Sequence, residues 1–110
     1  MDIITLQEKL GLKALNISDP TREVRGGYCG DLLSWVMGRA RAGDVWITIM
    51  TNRNIMAVAT LAGVSAVVVT EQAEIDAEVI RLAESQDINL LRTKTASFET
   101  ACAVGKLISI

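Results

Sequence analysis

From Trp46 to Thr70 the chain reads WITIMTNRNIMAVATLAGVSAVVVT, and this stretch narrows the choice of fold more than any other. Trp46-Ile47-Thr48-Ile49-Met50 is short, apolar and β-branched, and Ala66-Val67-Val68-Val69 is more so. Runs of this kind suit strands covered on both faces. Between them, Ile55 to Ala62 carries apolar or small residues on nearly every side, with only Thr60 polar. That breadth predicts a helix buried on more than its sheet-facing side. Strand, helix and strand in this length make a βαβ unit with a right-handed crossover. Its polar residues collect at Thr51-Asn52-Arg53-Asn54, where strand passes into helix, and open α/β sheets bind ligands at such points.

The flanking segments extend the alternation. Ile3, Ile4, Leu6, Leu10 and Leu12 predict a first short helix, with Thr5 as N-cap and Gly11 as terminator. Lys13-Ala14-Leu15 leads out of it, and Asn16 to Thr21, which holds the only proline, reads as loop. Glu23 to Tyr28 predicts a strand in which Gly26-Gly27 marks a bulge or a close backbone approach. Asp31 is the expected N-cap of a helix from Leu32 to about Arg41, with Leu32, Leu33, Val36, Met37 and Ala40 as its core stripe. Trp35 falls off that stripe, as a lid over a loop or an interface residue, and the interface is preferred.

Glu74 to Ser85 predicts an amphipathic helix with Ile75, Val79, Leu82 and Ala83 inward and Asp76, Glu78, Arg81 and Glu84 solvated. Ile88 to Leu91 is a short strand, and Thr93-Lys94-Thr95 a polar turn. A last helix from about Ala96 to Val104 packs Phe98, Ala101 and Cys102 and ends at Gly105. Leu107 to Ile110 adds a terminal edge strand or an apolar tail. The expected fold is therefore one domain over residues 1–110, an α/β three-layer sandwich around a largely parallel sheet of four to five strands.

Composition limits the chemistry. With no histidine, serine–histidine and cysteine–histidine nucleophilic sites and histidine-ligated metals are excluded. Cys29 and Cys102 form no C-x-x-C pair and read as buried reduced thiols in a cytoplasmic protein. A net charge of -2 provides no basic field for nucleic acid. The uncharged run from Asn54 to Thr70 is shorter than the ~20 residues of a membrane span and is interrupted by Gly63 and Ser65, so no span is expected. The N-terminus, with Asp2 and Glu8, is not a signal peptide. No P-loop is present, since Thr100 stands at its first glycine position and Leu107 at its Ser/Thr position. The acidic residues form no pair marked out for acid–base work, and no cofactor or metal is expected.

Parallel strands would bring four polar segments to one edge: Gly26 to Asp31, Thr51 to Asn54, Thr70 to Gln72, and Thr93 to Thr95. Within them the candidate ligand-binding residues are Gly26, Gly27, Asp31, Thr51, Asn52, Arg53, Asn54, Thr70 and Glu71. Arg53 at a helix N-terminus opposes the macrodipole. It either meets an anion there or pairs with Asp31 or Glu71 to tie loops together.

The stretches GGYCGDLLSWVMGRARAGDVWITI and TNRNIMAVATLAGVSAVVVTE together resemble the DRTGG domain, especially the small stand-alone DRTGG proteins that accompany iron-only hydrogenase genes. The opening LQEKLGLKALN is similar to the start of the same module in HPr kinase/phosphorylase. The resemblance covers essentially the whole chain and implies a fold like the N-terminal domain of that kinase. It implies a regulatory, non-catalytic module that senses a ligand such as an adenine nucleotide or dinucleotide, while the nearly all-apolar helix from Ile55 to Ala62 and the off-stripe Trp35 are the grounds for expecting a homodimer. The alternatives are an adaptor in hydrogenase regulation and a subunit related to HPr serine kinase, the latter opposed by the missing P-loop. Asn52-Arg53 stands where the family carries Asp-Arg, and Thr70-Glu71-Gln72 where it carries Thr-Gly-Gly. The exchange removes room for backbone approach and adds a negative charge.

Overall fold

The structure, a computed structural model, describes residues 1–109. Helices and strands follow in the order α1 (Ile3–Leu10), β1 (Lys13–Asn16), β2 (Gly26–Cys29), α2 (Leu33–Arg39) and β3 (Asp44–Thr48). Then come α3 (Asn54–Ala62), β4 (Ala66–Val69), α4 (Ala77–Ser85), β5 (Leu90–Arg92) and α5 (Ser97–Ile108). The strands form one sheet in the order β1-β5-β4-β3-β2. The four strands from β2 to β5 are mutually parallel, and β1 closes the far edge antiparallel to β5. The α/β class and the largely parallel sheet agree with the sequence.

Side-chain alternation along the central strands builds the two outer layers. Trp46, Val67, Val69 and Leu90 cover one face, against Val36 of α2, Ile55, Met56 and Ala59 of α3, and Val79 and Ala83 of α4. Val45, Ile47, Ala66, Val68 and Leu91 cover the other, against Ile3 and Leu6 of α1 and Val104 of α5. All five residues of β3 and all four of β4 are buried, as strands sandwiched between helices require. Each large aliphatic side chain withdrawn from water in this way contributes about 1.5–3 kcal/mol before conformational entropy is subtracted.

Several local expectations need correction. Lys13–Asn16 is a strand, although Lys13, Ala14 and Asn16 provide no apolar run; its partner β5 and not its own pattern makes it one. Asp31 does not cap α2, whose N-cap is Leu32 without a side-chain bond. Of the predicted α2 stripe only Val36 is fully buried; Leu33 and Ala40 pack at the margin, while Leu32 and Met37 are exposed. In α3 the buried side is broad (Ile55, Met56, Val58, Ala59), yet Leu61 is exposed because α2 and α4 flank the helix without wrapping it.

Helix α5 runs through Gly105 to Ile108 and ends at Ser109 in the left-handed region. Leu107 and Ile108 are therefore helical, so no edge strand forms through residue 109; Ile110 lies outside the described residues. The helix buries Thr100 and Val104, spaced one turn apart, and this leaves Phe98 exposed. Cys29 and Cys102 are both exposed free thiols, not buried ones. Partial desolvation by its surroundings, and secondarily the charge of Asp31, push the Cys29 thiol above its ordinary pKa even though the residue is exposed, which weakens it as a nucleophile.

Helix α1 is capped by Asp2 and not by Thr5: the Asp2 carboxylate accepts a hydrogen bond from the Thr5 backbone N–H at 2.8 Å, and Gly11 ends the helix at φ 62°. Hydrogen bonding by Thr5, side chain first and backbone second, holds the Asp2 carboxyl below its ordinary value of 3.8. A depressed carboxyl stabilises the fold above its unfolded pKa and loses that contribution as pH falls through the folded value. We predict that acidification frays α1 before the sheet, visible as early amide exchange at residues 3–6. Asp2→Asn should keep the cap and abolish the pH dependence; unchanged acid sensitivity in that variant would assign the fraying elsewhere.

Candidate functional site

Parallel pairing places the C-terminal ends of β2, β3, β4 and β5 along one edge, where the loops into α2, α3, α4 and α5 begin. Asp31, leaving β2, turns inward there. Its carboxylate accepts from the Thr48 hydroxyl at 2.8 Å and the Ile49 backbone N–H at 2.9 Å, which locks the exit of β2 to the exit of β3. At the start of α3 the Asn52 side chain accepts from the Asn54 N–H at 2.9 Å and performs the local capping. Arg53, although it is the N-cap residue, makes no cap bond. Its guanidinium reaches neither Asp31 nor Glu71 but Glu78 of α4, at 3.2 Å. Both side chains are more than half exposed, so the pair contributes at most about 1 kcal/mol and leaves Arg53 available.

The loop after β4 is built differently. Thr70 is buried, and its hydroxyl lies 2.6 Å from that of Ser97. Glu71 and Gln72 both sit at positive φ, 61° and 56°, a conformation costly for residues with a Cβ. Their backbone N–H groups donate to Thr95 and Thr93 carbonyls, which explains what holds them there. The Glu71 carboxylate accepts from the Ser97 N–H at 3.0 Å. It thus occupies the N-terminus of α5, where an external anion would otherwise be favoured.

Two predicted residues are elsewhere. Gly26 and Gly27 begin β2, opposite Asp44 and Val45 at the start of β3, and so belong to the other edge of the sheet. The expected close approach holds at Gly26, where a Cβ would lie 2.8 Å from the Asp44 carboxylate, but not at Gly27, where the nearest atom would be 3.6 Å away. They border a cleft of about 400 Å³ that also contains Arg25, Arg39 and Arg41.

The sequence reading missed a second group on the C-terminal edge. A cleft of about 370 Å³ lies between β1, β5 and the end of α1, lined by Lys13, Gln72, Arg92, Lys94 and Thr95 among others. Arg92 donates through Nη2 to the Gln72 carbonyl at 2.8 Å, and its Nε is buried with no partner. Thr93 to Thr95 stood out as a polar turn in the sequence. Lys13 did not, because its place beside Arg92 depends on a strand with no periodic signal. Among the described residues no group of three or more Cys, Asp or Glu is placed to hold a metal ion. No helix among them is long and apolar enough to cross a membrane.

Compared with known proteins, residues 29–107 match the family model of the DRTGG domain. No curated protein matches the sequence. Among solved structures the chain is similar to the CBS and DRTGG domains of the regulatory region of Clostridium perfringens pyrophosphatase, complexed with its activator diadenosine tetraphosphate. The TM-score is 0.70 at 20% identity, over 94% of this chain and 45% of that one. The chain therefore spans less than half of that structure, and likeness at this identity is likeness of fold.

Proposed function

This chain belongs to the DRTGG domain family, and from that premise we propose that it is a non-catalytic regulatory module that senses a small anionic ligand of the adenine nucleotide or dinucleotide class. The observation that carries this reading is the fold shared, over nearly its whole length, with a regulatory region that binds a diadenosine polyphosphate. The proposed site is the C-terminal edge, with Asp31, Thr51, Asn52, Arg53, Asn54, Thr70 and Glu71 around it and Arg53 as an anion contact. The kinship with HPr kinase/phosphorylase and the association with hydrogenase genes, implied by the sequence resemblance, belong to the same proposal. So do a cytoplasmic location, a single-domain organisation and a homodimer. Exposed Leu32, Trp35 and Met37 on and beside α2, with Arg39 stacked 3.8 Å from the Trp35 ring, support the homodimer. Light scattering on wild type and Trp35→Glu tests it; a wild type that stays monomeric rejects it.

The loop geometry gives the family motif a physical meaning. Positions 71 and 72 require positive φ, and glycine adopts it without steric cost. In this chain Glu71 and Gln72 retain the conformation with larger side chains, and Glu71 supplies its own negative charge to α5. Replacing Glu71 with glycine relieves roughly 1 kcal/mol of backbone strain and removes a cap worth about as much. Stability should then change little while the α5 N-terminus becomes free.

Calorimetry with ATP and with diadenosine tetraphosphate decides between ligand sensing and adaptation. Arg53→Ala should weaken binding about tenfold, the lower end for a charge-assisted contact because Glu78 competes for the guanidinium. Glu71→Gly should strengthen it. If wild type and both variants fail to bind either ligand, the adaptor reading replaces the sensor.

A further inference from the structure

We infer that the cleft between β1 and β5 is a binding site for a multiply charged phosphate-type oxyanion, held by Lys13, Arg92 and Lys94. In the antiparallel pairing of β1 with β5, Lys13 stands directly opposite Arg92. Like charges at facing positions of a strand pair destabilise it, so a chain free to vary gains nothing from the arrangement alone. Lys94, two residues beyond Arg92, lines the same cleft and adds a third positive charge. Among the described residues none of the three has a carboxylate within ion-pair distance, and the cleft lining contains no acidic residue. This concentration occurs in a chain whose net charge is -2, so it is not the overflow of a basic surface.

The guanidinium of Arg92 adds a second, independent sign. It has one hydrogen bond, to the Gln72 carbonyl, and its Nε is buried without a partner. Buried donors left unpaired are uncommon and costly. A modest swing of the guanidinium toward the cleft would expose Nε to an oxyanion and satisfy it, with the fork geometry that arginine offers to phosphate. Thr93 and Thr95 line the same cleft, the Thr93 hydroxyl accepting from the Thr95 backbone N–H at 3.2 Å. The volume of about 370 Å³ suits a small ligand. Glu99 lines only the adjoining hollow, which shares Leu10, Thr93 and Thr95 with the cleft, and its charge opposes an anion from that side.

The inference needs only the cleft, not the adenine nucleotide reading, and one experiment separates the two. Inorganic pyrophosphate is titrated calorimetrically at low salt into wild type, Lys13→Ala, Lys94→Ala and Arg39→Ala. Lys13 and Lys94 are exposed, so their variants should fold. Wild type should bind, Lys13→Ala and Lys94→Ala should each bind about tenfold more weakly, and Arg39→Ala, at the opposite edge, should match wild type. Lys13→Ala should also raise the melting temperature of the ligand-free protein by removing the facing charge.

Absence of pyrophosphate binding by wild type, or undiminished binding by the two lysine variants, would overturn the inference. So would a loss confined to Arg39→Ala, or a lower melting temperature for ligand-free Lys13→Ala. ATP or diadenosine tetraphosphate binding no tighter than pyrophosphate would leave the cleft standing and remove the nucleotide reading.

Discussion

Trp46→Ala is expected to destabilise the fold by about 3–5 kcal/mol, in the range for a large aromatic removed from a core. Trp46 lies in the middle of β3 with no exposed surface and faces the α2–α3–α4 layer. Neighbours on both sides of it are strands, so the sheet cannot collapse into the void without disturbing the ladders to β2 and β4. The indole N–H also donates to the Gly30 carbonyl at 2.9 Å, fixing the chain where it leaves β2. Trp46→Phe fills much of the void and loses only the donor, so about 1–2 kcal/mol should be lost. Urea unfolding of the three proteins checks this ordering. Since whole domains are stable by roughly 5–15 kcal/mol, the alanine variant should be partly unfolded or aggregated near 37 °C (about body temperature). Equal losses for alanine and phenylalanine would mean that the hydrogen bond, not the packing, is what Trp46 provides.

Asn89→Ala should cost about 2–4 kcal/mol, the cost of dismantling a buried polar network. Its side chain is buried and makes four hydrogen bonds. The carbonyl oxygen accepts from the Ser18 and Asp19 backbone N–H groups at 2.9 and 3.0 Å. The amide donates to the Asp19 and Ser65 carbonyls, both at 2.9 Å. One side chain thereby ties the loop after β1 to the entry of β4, and Asn16 reinforces the junction by donating to the Ile88 carbonyl at 2.8 Å. Asn89→Asp retains both acceptor bonds but has no amide to donate, so it should fall between wild type and alanine. Hydrogen exchange should show residues 17–19 losing protection first. A melting curve for Asn89→Ala superimposable on wild type would refute this account.

The two residues also show where the sequence was readable. Trp46 sits in an apolar, β-branched run, and such runs reveal buried parallel strands because both faces must be covered. Ala66–Val69 was legible to the residue for the same reason. Asn89 carries no such mark: a polar residue immediately before a three-residue strand earns its place through partners some 70 positions away. The same distance hid β1, whose lysine and asparagine make sense only beside β5.

Convergence of the loops followed from parallel strands, so Asp31, Thr51 to Asn54, Thr70 and Glu71 share the C-terminal edge as expected. Gly26 and Gly27 do not, because their strand begins three residues later than its pattern suggested and puts them at its start. The partners of Arg53 and Glu71 were not legible either. Which of several nearby opposite charges a long side chain reaches is decided by loop paths of a few ångströms, and composition is silent on those.

The antiparallel strand at the far edge has a consequence for the order in which the molecule is made. Residues 13–16 can pair only with residues 90–92, and α1 packs beside α5 on the same face. A ribosome releases the first of these segments long before the second. Through most of translation, therefore, Ile3, Leu6 and Leu12 lack Leu91 and Val104 from the layer that covers them, while the β2–α2–β3–α3–β4 succession can assemble as it emerges. Closing so long a loop is slow in comparison with local pairing. The nascent chain should thus wait with an open sheet edge and an incompletely covered apolar helix, a natural point of contact for a chaperone, until α5 has cleared the exit tunnel.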